Sequence, residues 1–231
     1  MRGDAGRKAK RAIGTACATL LLAVTACAGR PAPLATAASA DWTIEAEQPA
    51  RVTFGEVIDI DTPAGLSLWH KQELTGPVAI EFEAMAVSEG GANDEVSDLN
   101  AFWMATDPKA KAGSVLDPGR SGAFATYDDL TTYYVGIGGN RNSTTRFRRY
   151  TGRAGDRPLL PEHDLAGAAD MLVPNRWTQV RLIANGQDIA VERDGRRIFM
   201  MRDPAPYTRG WFALRTTKSH IRVRNLRISK P

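Results

Sequence analysis

Cysteine is almost absent from this chain of 231 residues: Cys17 and Cys27 are the only two, and both lie near the N-terminus. A domain built from the rest of the chain has no internal disulfide, so its stability must come from burial, for which the chain is long enough. The sequence also lacks a long 3.6-residue hydrophobic periodicity and an internal repeat. These absences argue against a helical bundle, a solenoid or a propeller.

Several chemical motifs are missing as well. The sequence has no phosphate-binding glycine loop, no zinc-ligand spacing, no EF-hand spacing and no Ser-His-Asp motif. Histidine occurs only three times, at His70, His163 and His220. The sequence therefore gives no support for a P-loop nucleotide hydrolase, a zinc enzyme or a serine hydrolase.

The one long apolar run lies at the N-terminus. Five basic residues between Arg2 and Arg11 precede an apolar stretch over 12–26. A charged head with a short apolar body is typical of a secretory signal and is too short for a stable membrane anchor. The stretch ends in Val24-Thr25-Ala26-Cys27, which resembles a bacterial lipobox whose cysteine receives the lipid.

These features predict the organisation of the chain. We expect residues 1–26 to be a signal peptide of the lipoprotein type, Cys27 to be lipidated and residues 27–40 to form a flexible tether. The protein is then exported and anchored to the cell membrane by lipid alone. Cleavage after Ala38-Ser39-Ala40, which would give a secreted protein, is the alternative.

The charge is unevenly distributed along the chain. The net charge of +4 lies entirely before Cys27, where five basic residues and Asp4 are found, and the remainder has 25 basic and 25 acidic residues. The high isoelectric point is therefore no argument for nucleic acid. Residues 27–140 hold 6 basic and 17 acidic residues, whereas residues 141–231 hold 19 and 8. A basic second half can create a local field that attracts anionic ligands.

From Trp42 onward, short alternating runs are separated by Gly, Pro, Asn and Asp. Many short strands at this spacing predict an all-β sandwich or barrel. Asn185-Gly186 and Asp194-Gly195 are hairpin signals, and a face switch near Asn225 indicates a β-bulge. The predicted strands are 42–46, 51–54, 56–60, 66–73, 78–87, 98–106, 122–126, 131–138, 144–150, 176–184, 187–193, 196–201, 210–217 and 220–229.

The last third of the chain resembles a known superfamily. The residues that carry the resemblance are Trp177-x-x-Val180-x-Leu182, Asn185-Gly186, Val191-x-x-Asp194-Gly195, Gly210-Trp211-Phe212-Ala213-Leu214 and Val223-Arg224-Asn225-Leu226. They look like the end of a concanavalin A-like jelly roll, a superfamily of lectins, glucanases and polysaccharide lyases. The stretch 98–108 is similar to an uncharacterised bacterial branch found near pectin and rhamnogalacturonan degradation proteins. The resemblance implies one antiparallel β-sandwich over 41–231 that acts on polysaccharide, with a sugar-binding groove on one sheet.

Two adjacent predicted strands carry the main candidate site. In 132–140 the apolar alternate residues are expected to face the core, which leaves Tyr134, Gly136, Gly138 and Asn140 on the other face. A glycine in a strand permits close approach of a ligand, although a bulge or bend explains it equally well. In 144–150 an inward Phe147 leaves Arg146, Arg148 and Tyr150 on the open face.

Arginine forks match carboxylates and aromatic rings stack on sugar faces, so neighbouring strands of this kind would form a groove suited to a uronic-acid polymer. The alternative is a solvated, arginine-rich outer strand. Trp69-His70-Lys71 is a further candidate group. Alternation turns His70 inward and Trp69 and Lys71 outward, but irregularity at a strand end can reverse this, so His70 stays a candidate.

These residue types predict cleavage of an acidic polysaccharide by β-elimination. The reaction needs a group that neutralises the uronate carboxylate, a base for the C5 proton and an acid for the leaving oxygen. Arginine with asparagine can do the first, and tyrosine or histidine the others. We therefore predict Tyr134, Arg146, Arg148 and His70 as catalytic residues and Asn100, Trp103, Asn140, Tyr150, Trp69 and Lys71 as substrate-binding residues.

Two other functions stay open: a non-catalytic carbohydrate-binding lipoprotein, and a glycoside hydrolase. A hydrolase needs two carboxyl groups, and Glu81 and Glu83 share one face of a predicted strand. Glu56 is out of phase with Asp59 and Asp61, so the acidic pattern of the glucanases is absent.

We expect no cofactor, with calcium as the alternative in the acidic loop that holds Glu89, Asp94, Glu95 and Asp98. A solvated acidic loop is the simpler interpretation of those residues. The expected partner is an anionic polysaccharide, with no nucleic acid, and we expect a monomer.

Overall fold

The computed structural model describes residues 38–231. The predicted signal peptide, the lipidation of Cys27 and the tether up to residue 37 lie outside this range. Within it, two antiparallel sheets of eight and seven strands pack face to face, which confirms the predicted β-sandwich. No helix in the described range is long and apolar enough to cross a bilayer.

Fifteen strands make up the two sheets. They are β1 (Trp42–Ala46), β2 (Arg51–Thr53), β3 (Val57–Thr62), β4 (Leu66–His70), β5 (Leu74–Thr75), β6 (Val78–Ala86), β7 (Leu99–Thr106), β8 (Thr131–Gly138), β9 (Thr144–Thr151), β10 (Asp164–Leu165), β11 (Thr178–Asn185), β12 (Asp188–Arg193), β13 (Arg196–Arg202), β14 (Arg209–Thr216) and β15 (Ser219–Ser229). The helical turns are short: Ser39–Asp41, Lys111–Gly113, Phe124–Tyr127, Gly139–Asn142, Pro161–His163 and Ala168–Asp170.

The strand orders interleave the two halves of the chain. The eight-stranded sheet has the order β1-β4-β14-β7-β8-β9-β10, with β5 beside β14, and the seven-stranded sheet has the order β13-β12-β11-β6-β15-β3-β2. Side chains from the facing sides of both sheets form the main core, in which Leu68, Phe82, Trp103 and Phe212 are at most 2% exposed. The other side of the eight-stranded sheet is called the outer face below.

The last third of the chain follows the sequence pattern closely. The hairpin signals at Asn185-Gly186 and Asp194-Gly195 join β11 to β12 and β12 to β13. The predicted bulge is confirmed, because the pairing of β15 with β6 shifts register between Arg224 and Arg227 and Asn225 has a φ of 55°. The bulge inserts an extra residue into β15 at Asn225, and this returns the Leu226 side chain to the core.

One predicted strand is wrong. Residues 122–126 lie in the connection from β7 to β8, and Phe124–Tyr127 forms a 3-10 turn instead. This connection, residues 107–130, passes over the outer face rather than alongside a strand, so it has no ladder partner. We call it the cover segment. The two-residue strands β5 and β10 were not predicted.

The cover segment buries a second apolar cluster against the outer face. Trp69 and Phe102 from the sheet are fully buried there, with Val115, Tyr127 and Leu130 from the cover segment above them. The rings of Trp69 and Phe102 stack at 5.7 Å between centroids, and Phe102 and Tyr127 lie at 5.4 Å. Burial on this scale holds the segment in place. It leaves only part of the outer face open.

Candidate functional site

The open part of the outer face is a groove of about 530 Å³, within the range of small-ligand sites. We call it the outer groove. Six of its lining residues are basic and two are acidic. The lining is Glu95, Ser97, Asp98, Asn100, Phe124, Tyr134, Gly136, Gly139, Asn140, Arg141, Thr144, Arg146, Arg148, Arg157, Arg215, Thr217 and Lys218.

Strand register explains why these side chains meet. Arg215 of β14 pairs with Asn100 of β7, Asn100 pairs with Gly136 of β8, and Gly136 pairs with Arg146 of β9. Residues that pair directly across adjacent strands share a face of the sheet. These four residues therefore form one row across four strands.

A second row lies two residues along. Phe102 pairs with Tyr134, and Tyr134 pairs with Arg148. Phe102 lies under the cover segment, whereas Tyr134 and Arg148 border the groove. The predicted alternation of β8 and β9 is thus confirmed: Tyr133 and Phe147 are in the main core, and Tyr134, Arg146 and Arg148 are on one open face of one sheet.

Gly136 leaves space in the middle of the first row. A Cβ at this position would lie 2.8 Å from the Tyr134 hydroxyl and 2.9 Å from Asn100 Oδ1. Those distances are shorter than van der Waals contact allows. The glycine therefore permits both polar atoms to converge on one point of the groove floor, rather than marking a bend.

The groove arginines fall into two kinds. Arg146 is neutralised by Asp164, with Nε–Oδ1 at 2.8 Å and Nη2–Oδ2 at 3.1 Å, and Arg157 lies 2.7 Å from Asp128. Arg148 and Arg215 form no ion pair with any carboxylate of residues 38–231. Both donate hydrogen bonds to neutral oxygens instead.

Arg148 donates from Nη1 to the carbonyl oxygen of Arg157 at 2.6 Å. Arg215 is only 3% exposed and donates to Ser67 Oγ at 3.0 Å and to the Gly122 carbonyl at 2.8 Å, while its Nε has no partner within the described range. Burial lowers the pKa of both guanidinium groups. A buried cation that no carboxylate contacts directly is costly, and an anionic ligand in contact with it would relieve that cost.

Asn100 offers a hydrogen-bond acceptor at the same place. Its side chain is 2% exposed and donates from Nδ2 to Asp98 Oδ1 at 3.2 Å, but its Oδ1 has no partner among the described residues. Most buried polar atoms are hydrogen-bonded, so an unpartnered one that lines a groove points to a ligand or a water. A ligand hydroxyl is a suitable donor.

Tyr134 and Tyr150 form the aromatic floor. Their rings lie 5.6 Å apart, and Phe124 packs on Tyr134 at 5.6 Å. Burial raises the pKa of Tyr134, so its hydroxyl is protonated at neutral pH and acts as a donor. Tyr150 is on the predicted face but only 1% exposed, and its hydroxyl accepts a 3.4 Å hydrogen bond from Arg157 Nη1. It supports the groove from below.

The two acidic groups of the groove are already engaged. Asp98 Oδ2 accepts hydrogen bonds from Ser97 Oγ at 2.5 Å and Thr217 Oγ1 at 2.9 Å. Glu95 lies 2.9 Å from the Lys218 ammonium. The positive charge of the groove is therefore only partly offset, and Arg148 and Arg215 dominate its inner end.

Five of the ten predicted site residues come together in the outer groove: Asn100, Tyr134, Asn140, Arg146 and Arg148. Four others lie elsewhere. Trp103 is fully buried in the main core, and Trp69 is fully buried beneath the cover segment with Nε1 donating to Glu45 Oε2 at 2.8 Å. Lys71 is exposed but follows β4 at the opposite end of the sheet. These placements do not agree with substrate contact in the groove.

His70 also lies away from the groove. It faces the main core, with its ring 5.0 Å from that of Trp42, and burial lowers its pKa. The alternation along β4 that turns it inward is therefore correct. His163 packs on Phe147 at 4.7 Å, and His220 lies between Asp59 and Asp94. None of these three histidines lines the outer groove.

Sequence reasoning missed Arg215, Arg157 and Phe124. Arg215 alternates with the core residues Phe212 and Leu214 in β14, so the strand period gives its face, but the neighbouring strands that build a groove around it cannot be identified from the sequence. Arg157 and Phe124 come from connections whose path has no periodic signal. A lone arginine ending an apolar strand was the one available sign.

The acidic candidates are used in other ways. Glu83 lies 2.7 Å from Arg224, and Glu81 lies 2.9 Å from Arg181, on the seven-stranded sheet. In the acidic loop, Asp94 accepts hydrogen bonds from the backbone of Glu89 and Gly91. Among residues 38–231, no group of three or more acidic, histidine or cysteine side chains is placed to hold a metal ion.

Solved structures share this architecture. A protein of unknown function with a galectin-like fold from Bacillus subtilis aligns with a TM-score of 0.64 and 14% identity, over 87% of this chain and 96% of that one. The carbohydrate-binding module CBM66 from Bacillus subtilis aligns with a TM-score of 0.55 and 11% identity, over 82% and 95%. The metal-free carbohydrate recognition domain of Emp46p aligns with a TM-score of 0.54 and 15% identity, over 83% and 88%.

At these identities the likeness shows the fold alone, a jelly roll of the galectin-like and concanavalin A-like class. No curated protein matches the chain. A family model matches residues 60–226, which span strands of both sheets and the whole outer groove except for its supporting β1. The chain therefore belongs to the family described as a domain of unknown function, DUF6250.

Proposed function

We propose that the outer groove binds an acidic saccharide. The observation that carries this proposal is the pair Arg148 and Arg215: two partly or fully buried guanidinium groups on one open face, neither paired with a carboxylate of the described residues. A ligand carboxylate would accept charge-assisted hydrogen bonds from them, which are stronger than neutral ones.

The neutral groups of the groove fit the rest of a sugar. Asn100 Oδ1 is an unpartnered acceptor for a ligand hydroxyl, and the Tyr134 hydroxyl is a donor beside it. A molecule that carries both a carboxylate and hydroxyls satisfies all four groups at once. The fold supports the same function, because solved jelly rolls of this class include a carbohydrate-binding module and a carbohydrate recognition domain.

Cleavage by β-elimination is the second candidate. The Tyr134 hydroxyl beside unpaired arginines favours it, because a tyrosine can protonate the leaving oxygen. The raised pKa of Tyr134 makes this residue an acid rather than a base, however, and no histidine lines the groove. Binding without cleavage requires no base, so it is the function the groove supports best.

Titration calorimetry with the full chain tests this proposal, using uronate oligosaccharides of pectic, alginate and glucuronan type and neutral oligosaccharides of equal length. We expect binding of an acidic oligosaccharide alone, and Arg148→Ala to weaken it by about 10–100-fold, since a charge-assisted contact contributes about 1.5–3 kcal/mol. Arg202→Ala, on the seven-stranded sheet, is the matched control.

Equal affinity for neutral sugars, or binding that Arg148→Ala leaves unchanged, would contradict the proposal. Ultraviolet absorbance of the same mixtures distinguishes the two candidate functions. A rise from newly formed unsaturated uronate that Tyr134→Phe abolishes would establish elimination, and no rise alongside measurable binding would establish a binding domain.

The proposal extends to location. A domain that retains an acidic glycan suits an exported protein held by lipid at Cys27, with secretion after Ala38-Ser39-Ala40 as the alternative. Replacement of Cys27 by serine tests the anchor: the protein should leave the membrane fraction, and unchanged partition would exclude lipid attachment at this residue.

A further inference from the structure

The outer groove is closed at one end. The Phe124 ring lies 5.0 Å from the Arg215 guanidinium carbon and 5.3 Å from that of Arg157. It also packs on Tyr134 at 5.6 Å. This one ring of the cover segment thus contacts both sides and the floor of the groove. It forms a wall that closes the groove at the end where β8 and β9 continue toward Tyr150.

The side of the groove next to β4 is closed as well. The Gly122 carbonyl accepts a 2.8 Å hydrogen bond from Arg215, and a Cβ at Gly122 would lie 2.6 Å from the backbone nitrogen of Glu47. The cover segment therefore contacts the backbone at the end of β1 directly. A saccharide chain has no path across β14 at this point.

A buried hydrogen-bond network ties this wall to the sheet. Glu45, which is 4% exposed, accepts hydrogen bonds from the Tyr127 hydroxyl at 2.7 Å and from the Arg120 backbone at 2.5 Å. Arg120 also pairs with Asp107 at the other end of the segment. Burial of Tyr127 and Val115 between the segment and the sheet adds to these bonds. Opening would require breaking this network and exposing the second apolar cluster.

The opposite end of the groove faces solvent. Asn140 and Arg141 are exposed at the tip of the β8–β9 hairpin, and the side chains of Glu95 and Lys218 are 48% and 44% exposed. Exposure falls to 3% at Arg215. The groove thus deepens from an exposed mouth to a buried, closed end where the unpaired arginines lie.

From this shape we infer that the outer groove holds the end of an acidic saccharide chain, not an internal stretch. The inference rests on the proposed function and deepens it. The carboxylate of the terminal unit lies against Arg148 and Arg215, its hydroxyl donates to Asn100 Oδ1, and the remaining units leave past Asn140 and Arg141. A chain bound through an internal unit would need a second exit, and Phe124 and Gly122 block the paths toward Tyr150 and across β14.

Binding stoichiometry tests this inference. The full chain is titrated with uronate oligomers of increasing length and with the parent polymer, all from the type that the panel identifies. For chain-end binding we expect one protein bound per saccharide chain at every length. Stoichiometry that rises in proportion to chain length would overturn the inference and leave the proposed function intact. No binding of any oligomer by the wild-type protein would overturn both.

Blocked oligomers provide an independent measurement. One oligomer has its reducing end converted to an alditol, and a second carries a modified sugar at its non-reducing end. One of the two should bind at least tenfold more weakly than the unmodified oligomer, which identifies the end that enters the groove. Equal affinity for all three would contradict chain-end recognition. Arg148→Ala, expected to weaken each interaction by the same factor of about 10–100, verifies that the outer groove is the site.

Discussion

The two halves of the outer face share β7, β8, β9 and β14 but use them in opposite ways, and the covered half also includes Trp69 of β4 and Glu45 of β1. On the covered half, Trp69 and Phe102 are fully buried, and the buried carboxylate of Glu45 is surrounded by donors. On the open half, two residues along the same strands, Asn100 Oδ1 and Arg215 Nε have no partner in the described range. The first half is complete without a ligand and the second is not.

This difference separates stability from binding within one sheet. A polar group that already has its partners contributes to folding, whereas an unpartnered one costs free energy until a ligand satisfies it. Changes on the covered half should therefore lower stability, and changes on the open half should lower affinity with little effect on stability.

The largest expected effect is that of Glu45→Ala. It leaves the Trp69 indole, the Tyr127 hydroxyl and the Arg120 backbone without their acceptor. Removing one partner of a buried charged network costs about 3–5 kcal/mol, and we expect that loss in the free energy of unfolding measured with urea. Glu83→Ala, which removes a partly exposed ion pair, is the control and should cost less than about 1 kcal/mol. Equal losses in both variants would show that Glu45 does not hold the cover segment.

The contrast also shows what the sequence alone could reveal. Period-two alternation correctly predicted the faces of β8 and β9, and thus placed Tyr134, Arg146 and Arg148 together, because that period is a property of the strand itself. The same alternation places Trp103, one residue out of phase with Phe102, in the main core. The burial of Trp69 could not be predicted in this way. Trp69 points outward as its phase requires, but a segment about fifty residues away covers it. Such a contact depends on tertiary packing, which local periodicity does not predict.

The pairing of residues across strands could not be predicted from the sequence either. Arg215 and Asn100 are neighbours only because β14 and β7 are adjacent in the sheet, and a register shift precedes Arg215 on β14. For His70, by contrast, alternation alone predicted the inward orientation correctly, and no irregularity at the end of β4 reverses it. The local sequence pattern thus predicted well which face of a strand each side chain lies on, whereas the identity of the neighbouring strands required the structure.

Gly136→Ala should have the next largest effect, and on binding rather than stability. The added Cβ would displace the Tyr134 hydroxyl or Asn100 Oδ1. We expect affinity for the acidic oligosaccharide to fall by about 30-fold, near 2 kcal/mol, while the free energy of unfolding changes by less than about 1 kcal/mol. Gly55→Ala, where the nearest atom is 3.8 Å from the new Cβ, should change neither. A large loss of stability with intact affinity would break the division between the two halves.

The smallest effect is expected from Tyr134→Phe, which removes one neutral hydrogen-bond donor and keeps the aromatic floor. Such a bond contributes about 1 kcal/mol, so affinity should fall about fivefold. Because burial raises the pKa of Tyr134, its hydroxyl stays protonated when the pH passes about 10, where an ordinary tyrosine ionises. Wild-type affinity should therefore be level from about pH 7 to 10, as measured by calorimetry. A decline toward pH 10 that Tyr134→Phe removes would mean that this tyrosine ionises in the normal range, and Tyr134 would then be available as the base that elimination requires.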